Sequence, residues 1–343
     1  MRVLHVLASN KYSGAENVAC QIIKMFDGEV EMAYCSPDGE IAKSLHEKGI
    51  KFFPLQKLSK KNLKKVVEEF KPDVIHAHDL KASIISSGIK KVKVISHIHG
   101  NKKGMNKLSL KSLSFLLASK HCDQIYWVSQ SCLDDYRFKN KVKNKSVVLP
   151  NIINVDDLIA KAAQDINEYN FDIVYLGRLV EEKNPHRLIR IINLLKVNLP
   201  PIKMAIIGDG VFFDDIKDKI TQEGLDENVV MYGFKSNPYK IVSQSKVMLM
   251  TSLREGTPMC ALESMALGVP VVSTKTDGMC QLIKNGKNGY LYDTDDEAAQ
   301  IIEKLLSNSE NYNQLKVECL DQSKRINDIM IYKKHLEAGY QTK

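Results

Sequence analysis

The sequence lacks several features that define well-known classes of protein. Its seven cysteines form no C-x-x-C pair, which argues against a zinc ribbon or a disulfide framework and favours a reducing cytoplasm. No run of about 18 apolar residues is present, so a transmembrane helix is not expected. No G-x-G-x-x-G follows the first apolar run, and a dinucleotide-binding fold is therefore not indicated. What remains, 44% hydrophobic and 26% charged residues, is typical of an ordinary soluble globular protein.

Acidic residues are missing from one long stretch. From Lys81 to Lys120 the chain carries nine lysines and no Asp or Glu, in a protein of net charge +8. Such a stretch attracts phosphates of nucleic acid, anionic lipid or substrate. Residues 105–120 are predicted as a helix with leucines interleaved with lysines, which fits both membrane-surface docking and an ordinary core helix with solvated lysines. Nucleic acid is not expected, because the stretch has few aromatic residues and no recognised reading motif.

Short apolar runs alternate with helix-like segments through most of the 343 residues. This alternation predicts parallel sheets with helices on both faces. The chain is long enough for two such domains with sizeable cores. In sheets of this kind, ligands bind at the carboxyl ends of the strands.

The chain is organised around one loop and the helix after it. An apolar run at residues 247–250 is predicted as a buried strand. Thr257 is a suitable N-cap and Pro258 a suitable first helical residue, so the helix is expected to begin there and to run to about Leu267. The free N–H groups of its first turn, including that of Met259, would form a seat for an anion, most naturally a phosphate.

Two glutamates lie on either side of this predicted seat, Glu255 in the loop and Glu263 in the second helical turn. Carboxylates repel phosphate, but they accept hydrogen bonds from neutral hydroxyls. A ligand with hydroxyls on both sides of a phosphate group therefore fits the layout. A nucleotide sugar is such a ligand, with ribose, diphosphate and hexose in that order.

The same residues carry a resemblance to a known family. Glu255 and Glu263, with seven residues between them inside Glu-Gly-Thr-Pro…Glu-Ser-Met-Ala-Leu-Gly-Val-Pro, closely resemble the signature of the family 4 glycosyltransferases. These are retaining enzymes of the GT-B fold, in which two doubly wound parallel-sheet α/β domains face a central cleft. The resemblance implies an acceptor-binding domain at residues 1–160, joined by the C-terminal helix at about 325–343. It implies a nucleotide-sugar-binding domain at residues 161–324.

The resemblance also assigns roles residue by residue. A strand ending in Gly-Arg with a lysine five residues later matches the cations that hold the donor diphosphate, here Arg178 and Lys183. A strand ending in His-Gly matches the histidine that points at the donor sugar, here His99. Only the second glycine of the family's Gly-Gly-Ala-Glu is present, as Gly14, and Asp277 stands where the family often has glycine. The implied catalytic residues are His99, Glu255, Arg178 and Lys183. The implied donor-binding residues are Gly14, Arg178, Lys183, Gly233, Phe234, Glu255, Gly256, Thr257, Met259 and Glu263.

Two patterns raise the question of a metal. His76 and His78 share one face of a predicted strand, as do His97 and His99, so each pair could ligate an ion. No cysteine or carboxylate completes a usual zinc set. The preferred interpretations are that these histidines line a polar cleft or are satisfied core groups, with His78 a candidate for the acceptor side. The Asp-Thr-Asp at residues 293–295 matches the D-x-D motif of other glycosyltransferases, but helix capping explains it better. Neither a metal nor another cofactor is expected.

These features together predict a retaining, metal-independent hexosyltransferase. It would move a sugar from a nucleoside diphosphate, with uridine favoured, to a hydroxyl of a saccharide or lipid-linked acceptor in cell-surface polysaccharide or glycolipid synthesis. Its expected location is the cytoplasm or the inner face of the membrane. Two alternatives remain: a sugar-nucleotide epimerase on the same fold, which needs no acceptor, and a non-catalytic nucleotide-sugar or lipid-binding module, which turns over no donor.

Overall fold

The computed structural model describes residues 1–100 and 103–341. Lys102, one of the lysines of the basic stretch, lies outside these residues. The chain folds into two compact units: Met1–Asn151 together with the segment from Ile329 onwards, and Ile152–Asp328. Each unit is built on its own parallel sheet.

The first unit contains a seven-stranded sheet with helices in the connections between its strands. Its strands are β1 (Arg2–Val6), β2 (Glu31–Pro37), β3 (Phe52–Leu55), β4 (Val74–His78), β5 (Lys93–Ile98), β6 (Gln124–Trp127) and β7 (Ser146–Val148). Its helices up to this point are α1 (Gly14–Met25), α2 (Ile41–Glu47), α3 (Lys60–Phe70), α4 (Asp79–Ser86), α5 (Leu110–Ser119), α6 (Gln130–Asp134) and α7 (Lys139–Val142). The strand order is β3-β2-β1-β4-β5-β6-β7, so the chain adds strands on one side of β1 up to β3 and on its other side from β4 onwards. This order brings the carboxyl ends of β1, β4 and β5 side by side.

The second unit contains a six-stranded parallel sheet of order β10-β9-β8-β11-β12-β13. Its strands are β8 (Phe171–Leu176), β9 (Met204–Ile207), β10 (Val229–Gly233), β11 (Ser245–Met250), β12 (Val271–Thr274) and β13 (Gly289–Tyr292). Its helices are α8 (Val155–Gln164), α9 (His186–Asn198), α10 (Phe213–Gln222), α11 (Tyr239–Ser243), α12 (Met259–Ala266), α13 (Asp277–Leu282), α14 (Asp295–Ser307) and α15 (Ser309–Ile326). The last helix, α16 (Ile329–Gln341), belongs to the first unit.

The strands form where the sequence has uninterrupted apolar runs. All four residues of β9 are buried, as are the last four of β11, because helices cover both faces of a parallel sheet. In the second unit the chain fills one side of β8 with β9 and β10 and then crosses to the other side for β11. The loops that follow β8 and β11 therefore leave the sheet next to one another, at its topological switch point.

The division between the units differs from the one expected from the sequence. The first unit ends at Asn151 rather than at residue 160, because α8 packs on α11 and α12 of the second unit and Asn237 donates a hydrogen bond to the Lys161 carbonyl at 2.7 Å. The return to the first unit begins at Ile329 rather than at about 325. The predicted helix over 105–120 is shorter, beginning at Leu110. None of the helices in the described part of the chain is long and apolar enough to cross a membrane.

Candidate active site

The candidate site of the second unit lies where the loops after β8 and β11 meet. The Thr251 hydroxyl donates to the Lys183 carbonyl at 2.8 Å, and the Leu253 N–H donates to the Glu182 carbonyl at 2.8 Å. These bonds hold the two loops together at the carboxyl edge of the sheet. This is the place where ligands bind in folds of this class.

Two glycines allow backbone segments at this edge to approach more closely than a side chain would permit. A Cβ atom on Gly278 would lie 1.2 Å from the carbonyl oxygen of Gly256. A Cβ atom on Gly208 would lie 1.8 Å from the carbonyl oxygen of Gly177. The sequence analysis assigned no role to either glycine. The position of each glycine, directly or shortly after a buried strand, could have predicted these close approaches.

Lys183 and Glu255, which were expected to contact different parts of a ligand, form an ion pair with each other. Their side chains are only 18% and 9% exposed, and the Ser252 hydroxyl donates to the same Glu255 oxygen at 2.6 Å. Burial opposes the charge of Lys183, but the neighbouring carboxylate outweighs it and keeps the lysine pKa above its usual value. The ammonium group is therefore charged and has further N–H groups to offer an anion.

Arg178 and the start of α12 supply the other positive groups. Arg178 is exposed, and its guanidinium pairs with no residue of the described chain. The Tyr175 hydroxyl fixes its backbone by donating to the Arg178 carbonyl at 2.9 Å. Helix α12 begins at Met259, one residue later than expected, because Pro258 is extended (ψ 127°) and is itself the cap residue in place of Thr257. The N–H groups of the first helical turn have no carbonyl partner within the helix, so they can still bind an anion.

Glu263 lies on the buried face of α12, at 6% exposure. The Tyr239 hydroxyl donates to its Oε1 at 3.3 Å. Burial raises the pKa of Glu263 from 4.5 to about 7, although the Tyr239 hydrogen bond and the charge of Lys161 oppose the rise. This carboxyl group therefore exchanges its proton near neutral pH.

The remaining predicted donor contacts of the second unit lie at its edge strand. Gly233 ends β10 with a positive φ of 65°, and its carbonyl accepts from the Gly208 N–H at 2.8 Å. Phe234 follows it and is 62% exposed. This segment is two strands away from β8 in the sheet, and Gly208 links it to the backbone around Gly177.

Gly14 is the first residue of α1 in the first unit. A Cβ atom built there would meet no atom of the described chain within 4 Å. Packing in this unit therefore does not require glycine at this position. The Ser13 hydroxyl just before it donates to Glu16 Oε2 at 2.5 Å.

His99 belongs to a cluster of histidines at the carboxyl ends of β1, β4 and β5. The cluster consists of His5, His76, His78, His97 and His99, with successive rings 4.1 to 5.4 Å apart. Burial holds the pKa of His5 at about 3 and holds those of His76, His78 and His97 well below the usual value. The sequence analysis found the four histidines of β4 and β5 but missed His5, which pairs in register with His76 from the neighbouring strand.

The two patterns that suggested a metal have different outcomes. Ring nitrogens of His5, His76 and His78 lie within 4.8 Å of one another, as do those of His78, His97 and His99, so either group could be rearranged around an ion. The Asp-Thr-Asp segment at 293–295 instead caps α14, as predicted: the Thr294 side chain accepts from the Glu297 N–H, and the flanking aspartates pair with Lys275, Arg187 and Arg190.

Comparison with known proteins identifies the class to which this fold and site belong. Residues 12–157 match the family model of glycosyltransferase family 4, and residues 156–318 match that of the glycosyl transferases group 1. An uncharacterized glycosyltransferase of Methanocaldococcus jannaschii is 31% identical over 292 residues, which are 74% of this chain and 71% of the relative. The chain belongs to the family 4, group 1 glycosyltransferases, as the sequence predicted.

More distant relatives include an enzyme of named activity and a structure with a bound nucleotide. A UDP-Gal:alpha-D-GlcNAc-diphosphoundecaprenol alpha-1,3-galactosyltransferase of Escherichia coli is 25% identical over 336 residues, 86% of this chain and 85% of that enzyme. Anabaena HepE, solved in complex with UDP and with UDP-glucose, has a TM-score of 0.83 at 20% identity over 98% of both chains. These structures confirm the GT-B fold.

Proposed function

We propose that this glycosyltransferase is a retaining, metal-independent hexosyltransferase. It uses a nucleoside diphosphate sugar, with UDP favoured, and glycosylates a hydroxyl of a saccharide or lipid-linked acceptor in cell-surface polysaccharide or glycolipid synthesis. The observation that carries the proposal is the grouping of Lys183, Glu255 and the first turn of α12 around the loops after β8 and β11. The UDP and UDP-glucose complexes of HepE and the lipid-linked acceptor in the name of the Escherichia coli relative support it.

The charges of the site suit a departing diphosphate. Negative charge develops on the diphosphate as the bond to the sugar breaks, so groups fixed in advance stabilise that state more than the ground state. Arg178, the spare N–H groups of Lys183 and the N-terminus of α12 supply the positive field without an ion. Glu255 and Glu263 accept hydrogen bonds from hydroxyl groups of the sugar and the ribose, and His99 orients the sugar. Thr257, Gly256, Met259, Gly14, Gly233 and Phe234 complete the proposed donor contacts.

Retention follows in this proposal from attack on the same face from which the diphosphate leaves. The departing phosphate oxygen takes the proton of the acceptor hydroxyl, so a protein nucleophile is not needed. A sugar-nucleotide epimerase would form product from the donor alone, and a non-catalytic binding module would leave the donor intact.

Turnover of a panel of nucleotide sugars by the full chain tests the proposal. UDP-hexoses should be hydrolysed slowly without acceptor and transferred in its presence, with equal rates in a metal-free buffer containing EDTA. NMR of the first-formed product should show the anomeric configuration of the donor. Inverted product, or activity that is lost with EDTA and restored by Mn²⁺, contradicts this function. An epimerised sugar formed from the donor alone, rather than the hydrolysed hexose of unchanged configuration, supports the epimerase.

We further propose that α5 docks the enzyme on an anionic membrane surface. The helix buries Ser112, Phe115 and Ala118, whereas Leu110 and Leu117 are 85% and 61% exposed. Exposed lysines of the basic stretch lie close to these leucines in the sequence, namely Lys103, Lys107, Lys111 and Lys120. Apolar side chains flanked by cations fit the boundary between acyl chains and anionic headgroups.

A hollow of about 680 Å³ beside this helix supports the same proposal. Lys60, Lys90 and Lys91 line it, together with Leu117 of α5. In this proposal, the lysines of the hollow bind phosphate groups of lipids next to the exposed leucines. The surface therefore combines the two kinds of contact that peripheral binding requires.

Vesicle co-sedimentation tests the docking surface. Phosphatidylglycerol vesicles should bind the chain and release it as salt is raised, whereas phosphatidylcholine vesicles should not bind it. The double variant Leu110→Ser, Leu117→Ser should bind at least about tenfold more weakly, since two leucines leave the bilayer boundary. Val197→Ser is the matched control, because Val197 is 78% exposed on α9 of the other unit. Equal losses in both variants, or binding without regard to lipid charge, would count against docking through α5.

A further inference from the structure

The two carboxylate oxygens of Glu255 have different surroundings. The Ser252 hydroxyl donates to Oε1 at 2.6 Å, and the Lys183 ammonium group pairs with the same atom. Within residues 1–100 and 103–341, no group donates to Oε2. An oxygen without a donor is uncommon in a side chain that is only 9% exposed. Oε2 is therefore the oxygen of Glu255 that can accept a hydrogen bond from a hydroxyl group of a ligand.

The donor that holds Oε1 is itself fixed in place. Ser252 is 2% exposed, and its carbonyl oxygen accepts from the Thr274 hydroxyl at 2.6 Å. Thr274 is the last residue of β12, the strand that pairs with β11. With its backbone tied to this strand, Ser252 has a single torsion, χ1, that can move its hydroxyl oxygen. The hydroxyl group is therefore a rigid donor at the carboxyl edge of the sheet.

Lys183 contributes charge to the same oxygen but little orientation. Its ammonium group stands on a flexible four-carbon stem, so it can follow the carboxylate of Glu255 if that group turns. The backbone of Glu255 is held separately, because its carbonyl oxygen accepts from the Gly278 N–H at 3.1 Å. With the backbone fixed at one end and Oε1 fixed by Ser252 at the other, the direction of Oε2 is determined.

We propose that Ser252 is a positioning residue that holds Oε1 of Glu255 and thereby presents Oε2 to a hydroxyl group of the donor sugar. The identity of the ligand as a sugar rests on the proposed function, whereas the hold of Ser252 on Glu255 does not. A carboxylate oriented before the ligand arrives loses little freedom as the transition state forms. Loss of the Ser252 hydroxyl should therefore affect the chemical step more than the binding of the nucleotide.

Kinetics of Ser252→Ala in the full chain test this role. The variant should lower kcat about tenfold or more, as expected for a lost hydrogen bond to a charged group. Calorimetry should give a Kd for UDP within about twofold of the parent value, since UDP carries no sugar for Glu255 to contact. A loss of UDP affinity as large as the loss of kcat would show that Ser252 acts on the nucleotide, and would refute the role.

Ser245→Ala is the matched control for this substitution. Ser245 lies at the opposite end of β11, is 3% exposed, and donates through its hydroxyl to the Ile241 carbonyl at 2.7 Å. Its loss removes a buried hydrogen bond of the same kind away from the site. The control should therefore unfold more easily than the parent but keep its kcat. An equal fall of kcat in the two serine variants would assign Ser252 a structural role only.

A double-mutant cycle with Glu255→Ala shows whether Ser252 acts through Glu255. Radiolabelled donor allows the low rates of these variants to be measured. In the Glu255→Ala chain, Ser252→Ala should lower kcat less than about twofold, because the carboxylate that it positions is gone. A tenfold loss in both backgrounds would refute the role. If Glu255→Ala does not fold, the comparison of Ser252→Ala with Ser245→Ala decides.

Urea unfolding of the same four chains separates this inference from the proposed function. The effects of Ser252→Ala and Glu255→Ala on stability should be non-additive, because both remove the same hydrogen bond. A parent chain that turns over no nucleotide sugar contradicts the proposed function, and coupling in unfolding then still shows whether Ser252 holds Glu255. Transfer by the parent with additive effects in both cycles overturns this inference and leaves the proposed function standing.

Discussion

The buried carboxyl group of Glu263 allows a prediction whose size follows from the structure. Its pKa rises from 4.5 to about 7 on folding, chiefly because burial penalises the charge. Below pH 4.5 the group is protonated in both the folded and the unfolded chain. Between pH 4.5 and 7 the unfolded chain releases the proton while the folded chain keeps it. The stability that this group contributes is therefore complete below pH 4.5 and is lost as pH rises through about 7.

The free energy involved is a sizeable part of the stability of a domain. A pKa of about 7 against 4.5 corresponds to about 3 kcal/mol, compared with a total of roughly 5–15 kcal/mol. Glu263→Gln replaces the carboxyl group with a neutral group of nearly the same shape, which resembles the protonated acid. Parent and variant should have equal free energies of unfolding near pH 4. The variant should be more stable by about 3 kcal/mol above pH 8.

Urea unfolding followed by circular dichroism over this pH range measures the difference. The single tryptophan, Trp127, lies in the first unit, so its fluorescence reports that unit and should respond equally in parent and variant. Glu318→Gln is the control, because Glu318 is exposed on α15 of the same unit as Glu263. A difference between parent and Glu263→Gln that does not change with pH would refute the reasoning.

The same titration links Glu263 to its proposed ligand. Ribose hydroxyls donate better to an ionised carboxylate than to the acid. Nucleotide binding should therefore release about half a proton at pH 7, because the free group is then about half protonated. Calorimetry in buffers of different ionisation enthalpy counts this proton. Glu263→Gln should release none, and equal release by parent and variant would exclude this carboxyl group as the source.

Three further substitutions separate catalysis from folding. Glu255→Gln should lower kcat at least about a hundredfold. Circular dichroism should show a folded but less stable chain, because the amide still accepts from Ser252 while Lys183 loses its counterion. Normal transfer would refute the role of Glu255. Gly278→Ala should abolish transfer and lower the unfolding midpoint, since the new Cβ would lie 1.2 Å from a carbonyl oxygen; an active, equally stable variant would contradict this contact. Gly14→Ala should change unfolding by no more than about 0.5 kcal/mol, because its surroundings are open, yet should raise KM for the donor; an unchanged KM would remove Gly14 from the donor site.

The fold could be predicted from local patterns because each element carries its own signal. Buried strands such as β9 and β11 are uninterrupted apolar runs, and Thr294 caps α14 as the sequence indicated. The predicted start of α12 was wrong by one residue, because proline fixes φ but leaves ψ open. At Pro258, ψ is extended, and the helix begins only after it.

Parts of the site could not be predicted because they depend on tertiary contacts. The loop sequences indicated that Lys183 and Glu255 act on a ligand, but nothing in their spacing showed that they pair with each other across two loops. His5 is one histidine in an apolar strand, and it becomes part of the histidine cluster only through the register of β1 with β4. Close backbone contacts such as that of Gly278 with Gly256 depend equally on how strands are ordered in the sheet.

In the proposed donor site, the ion pair of Lys183 and Glu255 lowers the cost of burying strong charges next to the diphosphate. Alone, either buried charge would be expensive, whereas together each provides the other's counterion. A diphosphate that arrives next to Lys183 brings negative charge to a lysine already paired with Glu255. It must therefore be balanced by further cations, which the exposed Arg178 and the first turn of α12 provide. The lysine is held in place by the carboxylate before the ligand binds, so little of the binding energy is needed to order it.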